Sequence, residues 1–191
     1  MWIHIFGCIG FSCYFLYDIN SVTKNYKIIN KLFFLGTFFV AVGTFVMIWE
    51  SREGLIGTSV RTWGMTLFSL CMFAGLIYTL FFAIPFKETY IEENRKRRAY
   101  TEGIYALCRH PGVLWFIGLY LGIAGMTGSP GTLQDALLYI FWNIAYIMLQ
   151  DYYVFPRTFE NYMEYKKTTP FLVPHRESIR RAIRTFRKGN E

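Results

Sequence analysis

Between a run of basic residues and an apolar segment that starts at Val113, the chain reads Thr101-Glu102-Gly103-Ile104-Tyr105-Ala106-Leu107-Cys108-Arg109-His110-Pro111. Pro111 disfavours the helical region for His110 and is itself suited to the first turn of a helix. The apolar segment is therefore predicted to begin as a helix here, with His110 near its cap. The first amides of a helix have no intrahelical partner, and the helix dipole adds partial positive charge to them. With Arg109 and His110 beside those amides, such an end is a cradle for an anionic group, a carboxylate or a phosphate. The plain alternative is topology and capping. A cation beside an apolar span is what membrane orientation requires, and the neighbouring histidine then only caps a helix.

A second set of candidate residues lies further on. Tyr162 and Tyr165 are three apart and share a helix face, although a chain with 14 tyrosines places many of them in interfacial belts. Thr169-Pro170-Phe171-Leu172-Val173-Pro174 follows them. Asp151 stands at the end of an apolar span, where an acid is costly unless paired or hydrated. Cys8, Cys13, Cys71 and Cys108 show no metal or disulfide spacing and read as small buried hydrophobes. The three histidines, at 4, 110 and 175, lie far apart, so no metal site is expected.

These residues need a frame. The chain has 191 residues, of which 53% are hydrophobic, 20% aromatic and 17% charged. Runs near twenty residues with almost no charge read as membrane spans. Spans are predicted at about 1–17, 32–49, 62–86, 113–126 and 133–153. The first has no basic leader or small-residue cleavage site, which argues against a removable signal peptide. The fourth is short for a full crossing, and Thr127-Gly128-Ser129-Pro130-Gly131-Thr132 reads as a tight turn, so the last two spans form a short helical hairpin. The segment from Glu92 to Arg98 is expected to be helical, as a continuation of the third span or a surface helix. The expected architecture is an all-α integral membrane protein with five transmembrane helices and a helical tail, one membrane domain over 1–191.

Charge sets the orientation. The net charge is +7, yet the basic residues flank apolar spans rather than forming a soluble basic domain, which points to a membrane surface and away from nucleic acid. With five spans, 18 of the 20 Lys and Arg fall on one side, and only Arg52 and Arg61 on the other. Positive charge stays cytoplasmic, so the N-terminus is expected outside and the tail inside. Both candidate sets then face the cytosol. Over 176–188, Ile179, Ala182, Ile183 and Phe186 repeat at helical spacing among arginines. This is the pattern of an amphipathic interfacial helix drawn to anionic headgroups.

Gly103-Ile104-Tyr105-x3-Arg109-His110-Pro111, followed by Tyr162-x2-Tyr165 and the closing Pro174, resembles the isoprenylcysteine carboxyl methyltransferase and phospholipid methyltransferase superfamily. Those are small integral membrane enzymes that use S-adenosylmethionine. The resemblance covers about 95–174, which it marks as the cofactor-binding half. It implies that His110 and Pro111, with the backbone from Glu102 through Gly103 and Ile104 to Tyr105, line the cofactor. Tyr162 and Tyr165 would stack on its adenine or bond its ribose. Arg109 would lie near the cofactor carboxylate or the acceptor headgroup, and Asp151 would bind the cofactor's amino group or orient Arg109. Methyl transfer from a sulfonium needs alignment and exclusion of water, and no metal. The implied acceptor is a lipid-like or amphipathic carboxylate, amine or thiol entering from the bilayer. The chain departs from the family pattern at Val113 and Trp115, where Tyr and Gly are usual. It departs again at Asp151-Tyr152, where a pair of acids is usual, and at Glu160, where Gly is common. Two other classes remain in view: a sterol-type membrane reductase using NADPH, and a non-catalytic membrane scaffold that keeps the fold.

Overall fold

The computed structural model describes residues 2–55, 59–83 and 97–188, which are helical with no strand among them. The principal helices are α1 (Trp2–Ser21), α2 (Leu32–Glu50), α3 (Val60–Phe81), α4 (Ile104–Leu107), α5 (Pro111–Thr127), α6 (Pro130–Leu149), α7 (Tyr162–Thr168) and α8 (Arg176–Lys188), with a further single turn at Phe155–Thr158. Three of the described segments are long and apolar enough to cross a membrane: Ile29–Glu50, Val60–Phe81 and Pro130–Thr158. α1, with 20 residues, and α5, with 17, complete the apolar set without reaching the same combination of length and hydropathy. Helices suit such sequences because each satisfies its own backbone polar groups where no water reaches. Large apolar side chains stay exposed along these helices, Phe34 at 76%, Trp63 at 65% and Phe141 at 61% among them.

The expected turn over 127–132 is a sharper corner than its composition implies. Only Gly128 and Ser129 separate α5 from α6. Gly128 takes φ of 67°, which a side chain would strain. The Ser129 hydroxyl accepts from the Thr132 amide, and Pro130 fills the first helical position, where its missing amide costs nothing. Pro130, Gly131 and Thr132 therefore belong to the helix. The expected helix over Glu92–Arg98 lies outside the described residues except for Arg97 and Arg98, which are not helical. The end of the third span near Pro85 and Phe86 also lies outside them.

The chain divides into two compact units, residues 1–73 with 116–154, and residues 74–115 with 155–191. In the first unit α1 packs on α2 and α6. Its centre is aromatic: Tyr139 stands edge-on to Phe11, with ring centroids 6.2 Å apart, and lies 5.2 Å from Tyr120. The Tyr139 hydroxyl donates to the Ile3 carbonyl (3.1 Å), and Tyr120 shares a 2.6 Å hydrogen bond with Thr44. A Cβ on Gly43 would overlap that Tyr139 hydroxyl, so the small residue makes room for the ring.

The contacts of this unit fix the directions of its helices. Tyr14 of α1 bonds Thr37 of α2 (3.0 Å), while a Cβ on Gly43 would meet Phe6, so these two helices run antiparallel. Gly118, Gly122 and Gly125 of α5 lie against Met72, Ser69 and Met65 of α3, in reversed order. His4 meets Asp135 (2.6 Å) at the start of α1 and α6, and Asp18 accepts from Gln150 (2.8 Å) at their far ends. α1 and α6 thus run parallel.

Candidate functional site

The signature stretch lies in the second unit, and it opens with a backbone only glycine adopts readily. Gly103 has φ of 57° and ψ of −130°. The Tyr105 and Ala106 amides bond back to the Glu102 and Gly103 carbonyls (3.1 and 3.2 Å), which starts the single turn of α4. Ala106 and Cys108 on this turn are fully buried. Cys108 is extended and ends the turn. Burial pushes its thiol from the ordinary 9.0 up to about 11, partly offset by a backbone hydrogen bond from His110 and by the Arg109 charge. Glu102 is exposed, while Ile104 and Tyr105 are half-buried. The Tyr105 hydroxyl donates to the Thr79 carbonyl on α3 (3.0 Å).

Arg109 is tied to the end of α7. Its amide donates to the Pro170 carbonyl (2.9 Å), and its Nη1 donates to the carbonyls of Thr169 (2.6 Å) and Lys166 (3.3 Å). The guanidinium also sits over the Phe171 ring, 5.6 Å from its centroid. A cation at the last carbonyls of a helix is well placed both for the dipole and for the orphan acceptors there. These bonds give Arg109 a structural task that the resemblance did not imply.

His110 immediately precedes Pro111, the first residue of α5, as its position before proline predicts. The Val113 amide donates back to its carbonyl (3.1 Å). The imidazole is 6% exposed. It stacks on Phe155 (5.8 Å, 12° between planes) and stands edge-on to Phe171 (5.1 Å). The ring is thus walled by aromatic side chains from both sides of the second motif.

Tyr162 and Tyr165 share the buried face of α7, at 2% and 4% exposure. Tyr162 packs edge-on against Phe155 and Tyr165. The Tyr165 hydroxyl donates to the Tyr105 carbonyl (2.6 Å), closing the second motif onto the first. Asn161, just before α7, holds the strip ahead of the signature through both ends of its amide: the Ala99 amide donates to its Oδ1 (2.7 Å), and its Nδ2 donates to the Ala99 carbonyl (3.1 Å). In the sequence the only local signal for Asn161 is that of a capping residue ahead of a helix.

α8 closes the same unit. His175 and Ser178 cap it reciprocally, the Ser178 amide donating to His175 Nδ1 (3.1 Å) and the His175 amide to Ser178 Oγ (3.0 Å). Thr185 accepts from the Gly103 amide (3.0 Å), and Arg181 Nη1 donates to the Thr169 hydroxyl (3.3 Å). Ser178 and Ala182 are buried, while Ile179 and Ile183 are 43% and 50% exposed. The tail packs on the signature turn, and its inward face (Ser178, Ala182 and the bonded Thr185) shares only Ala182 with the apolar set that its sequence pattern marks.

Of the two departures after Pro111, Val113 is buried. The Trp115 indole lies directly over Gly75 of α3, so the bulk on one helix is matched by a missing side chain on the next. Its Nε1–H is buried with no hydrogen-bond partner among the described residues. Asp151 belongs to the first unit. It is fully buried in a π-helical stretch, Gln150–Val154, that continues α6, whereas Tyr152 beside it is 66% exposed. Pro156 two residues later explains the wider turn, since it offers no amide to the Tyr152 carbonyl and its ring crowds that group. That proline was the signal for it in the sequence.

The structure therefore brings Glu102, Gly103, Ile104, Tyr105, Arg109, His110, Pro111, Tyr162 and Tyr165 into one packed unit. Among the described residues no group of three His, Cys, Asp or Glu is placed to hold a metal ion. An open depression of about 300 Å³ beside Arg61, Gly64, Met65 and Phe68 lies away from both motifs in sequence, on α3. No family model, curated protein or solved structure matches the chain.

Proposed function

We propose that this chain is a membrane-embedded methyltransferase that uses S-adenosylmethionine and acts on a lipid-like acceptor. One observation carries the reading: the two motif segments, far apart in sequence, close on one another through the Tyr165–Tyr105 and Arg109–Thr169 hydrogen bonds. An accidental match of two short motifs gives no reason for them to meet.

The donor set suits the cofactor. Glu102 offers an exposed carboxylate for an ammonium or a ribose hydroxyl, and Phe155 and Phe171 offer aromatic faces beside His110 for an adenine or a sulfonium. When bound, the cofactor supplies an electrophilic methyl group. The residues of this chain bind, align and exclude water. Arg109 fixes the turn between α4 and α5 by holding the end of α7, and so acts as a positioning residue for His110 next to it. The indole N–H of Trp115, buried and without an acceptor among the described residues, is available to a polar oxygen of the methyl acceptor.

The membrane part of the reading rests on three helices able to span, on the two shorter apolar helices beside them, and on the alternating directions within the first unit. Five crossings with the N-terminus outside place both motifs at the cytosolic surface, where a soluble cofactor reaches them.

The deciding measurement is equilibrium binding of S-adenosylhomocysteine to the purified protein in lipid nanodiscs, alongside NADPH, with labelled methyl donor on a lipid extract. Binding of the nucleoside with methyl incorporation supports the proposal. Binding of NADPH alone moves the chain to the reductase class. No binding of either leaves a scaffold whose motif hydrogen bonds serve only its fold. His110→Ala should weaken binding of S-adenosylhomocysteine by about 1–3 kcal/mol, the scale of losing a buried polar contact. Unchanged affinity in the folded variant would return His110 to helix capping.

A further inference from the structure

Three of the rows that α8 presents at four-residue spacing each meet a different environment. Ser178 and Ala182 are buried against the unit, and Thr185 extends that face to bond the Gly103 amide. Ile179 and Ile183 form the next row and remain about half exposed. Arg176, Arg180 and Arg184 form the third, and all three are exposed. A helix whose apolar row lies between a docked face and a basic face meets a membrane surface edge-on, with its isoleucines toward the hydrocarbon and its arginines among the headgroups. The charge complement of that basic row is an anionic phospholipid.

We propose that α8 is a two-faced clamp: anionic headgroups taken by Arg176, Arg180 and Arg184 hold the helix down, and through Thr185 the helix holds the Gly103 turn of the signature. Gly103 is the position where the link matters most. Its positive φ is conformationally costly to restrict, and its amide has the Thr185 hydroxyl as acceptor across 82 residues of sequence. A second bond, from Arg181 to Thr169, joins the same helix to the residue whose carbonyl takes the Arg109 guanidinium. The surface charge of the bilayer thereby sets how firmly both halves of the site are held. This inference rests on the membrane reading but not on methyl transfer.

The test is hydrogen exchange over residues 101–109 of the full chain in nanodiscs, with no cofactor present. One set of discs is phosphatidylcholine alone, and the other contains phosphatidylglycerol as well. Exchange at Gly103 is expected to be about fivefold slower in the anionic discs at low salt, the change that one well-placed basic residue at such a surface supplies, and to lose that protection at high salt. Replacing Arg176, Arg180 and Arg184 together by Gln should abolish the difference between the discs while leaving exchange in phosphatidylcholine unchanged. Thr185→Val should speed exchange at Gly103 in both discs and erase the lipid effect. Equal exchange of the natural chain in the two discs, or an undiminished difference in the triple variant, would overturn the clamp. A chain that failed to enter discs at all would overturn the membrane reading with it.

Discussion

Tyr165 and Cys108 show how much a residue's role depends on what lies beside it. The sequence places Tyr165 on one face with Tyr162, and periodicity alone suffices for that. Its partner lies 60 residues away, and a hydrogen bond over that separation leaves no local trace. Tyr165→Phe keeps the ring and leaves the Tyr105 carbonyl without this donor, so it should cost about 1–3 kcal/mol of stability. Thermal unfolding in detergent measures the loss, and an unchanged midpoint would mean that the bond contributes nothing. Cys108 lacks any metal or disulfide spacing in the sequence, and the structure buries it fully. Its thiol is neutral in the folded chain up to about pH 11, whereas an unfolded thiol ionises near 9.0. The folded state is therefore favoured at full strength below about pH 9, and that contribution is lost as pH rises toward 11. Cys108→Ala should flatten the alkaline side of the stability profile. Identical profiles above about pH 9 would show that the thiol ionises equally in both states.

At the scale of elements, apolar runs and Pro111 placed the helices well, because burial and a missing amide act locally. The tail helix over 176–188 has the bounds its pattern predicted. α6 starts at Pro130 rather than at the predicted 133, because Ser129-Pro130 looks like a turn by composition but works as an N-cap and first helical residue. The strip over 97–100 was illegible for a different reason. It has no regular structure of its own and takes its path from Asn161 and from the Glu160 amide, which donates to the Arg97 carbonyl (3.0 Å). Asn161→Ala should therefore release this strip without melting the apolar helices. Trypsin makes the test specific, since its cleavage residues Arg97 and Arg98 sit in the strip itself. Cleavage there should become several-fold faster in the variant, with a loss of about 1–3 kcal/mol locally for the two part-buried bonds. If the variant and the natural chain are cut at the same rate, the side-chain clamp is not what holds the strip.

Across the whole chain, the strongest statement in the sequence was the uneven distribution of Lys and Arg, and it concerns sidedness rather than contacts. The first unit offers an independent measure. Ser51, at the end of α2, bonds Thr132 near the start of α6, and the Arg61 guanidinium lies against Gly128. The α5–α6 corner is thereby drawn to the end of the unit that carries the loop after α2. Asp18 and Gln150 meet at the opposite end, where Asn20 also bonds Asn30 ahead of α2. A hairpin that only dipped into the bilayer from the cytosol would not bring its corner level with Ser51 and Arg61. Single cysteines in place of Glu53, Gly131 and Lys27 separate the two arrangements. Glu53 and Lys27 are exposed loop positions, and Gly131 has room for a side chain. In intact cells an impermeant maleimide should label the first two, and it should reach Lys27→Cys only after lysis. Labelling of Gly131→Cys only after lysis, with Glu53→Cys open from outside, would reduce the hairpin to a re-entrant loop and end the five-crossing arrangement. All three on one side would leave the charge asymmetry without a membrane to explain it.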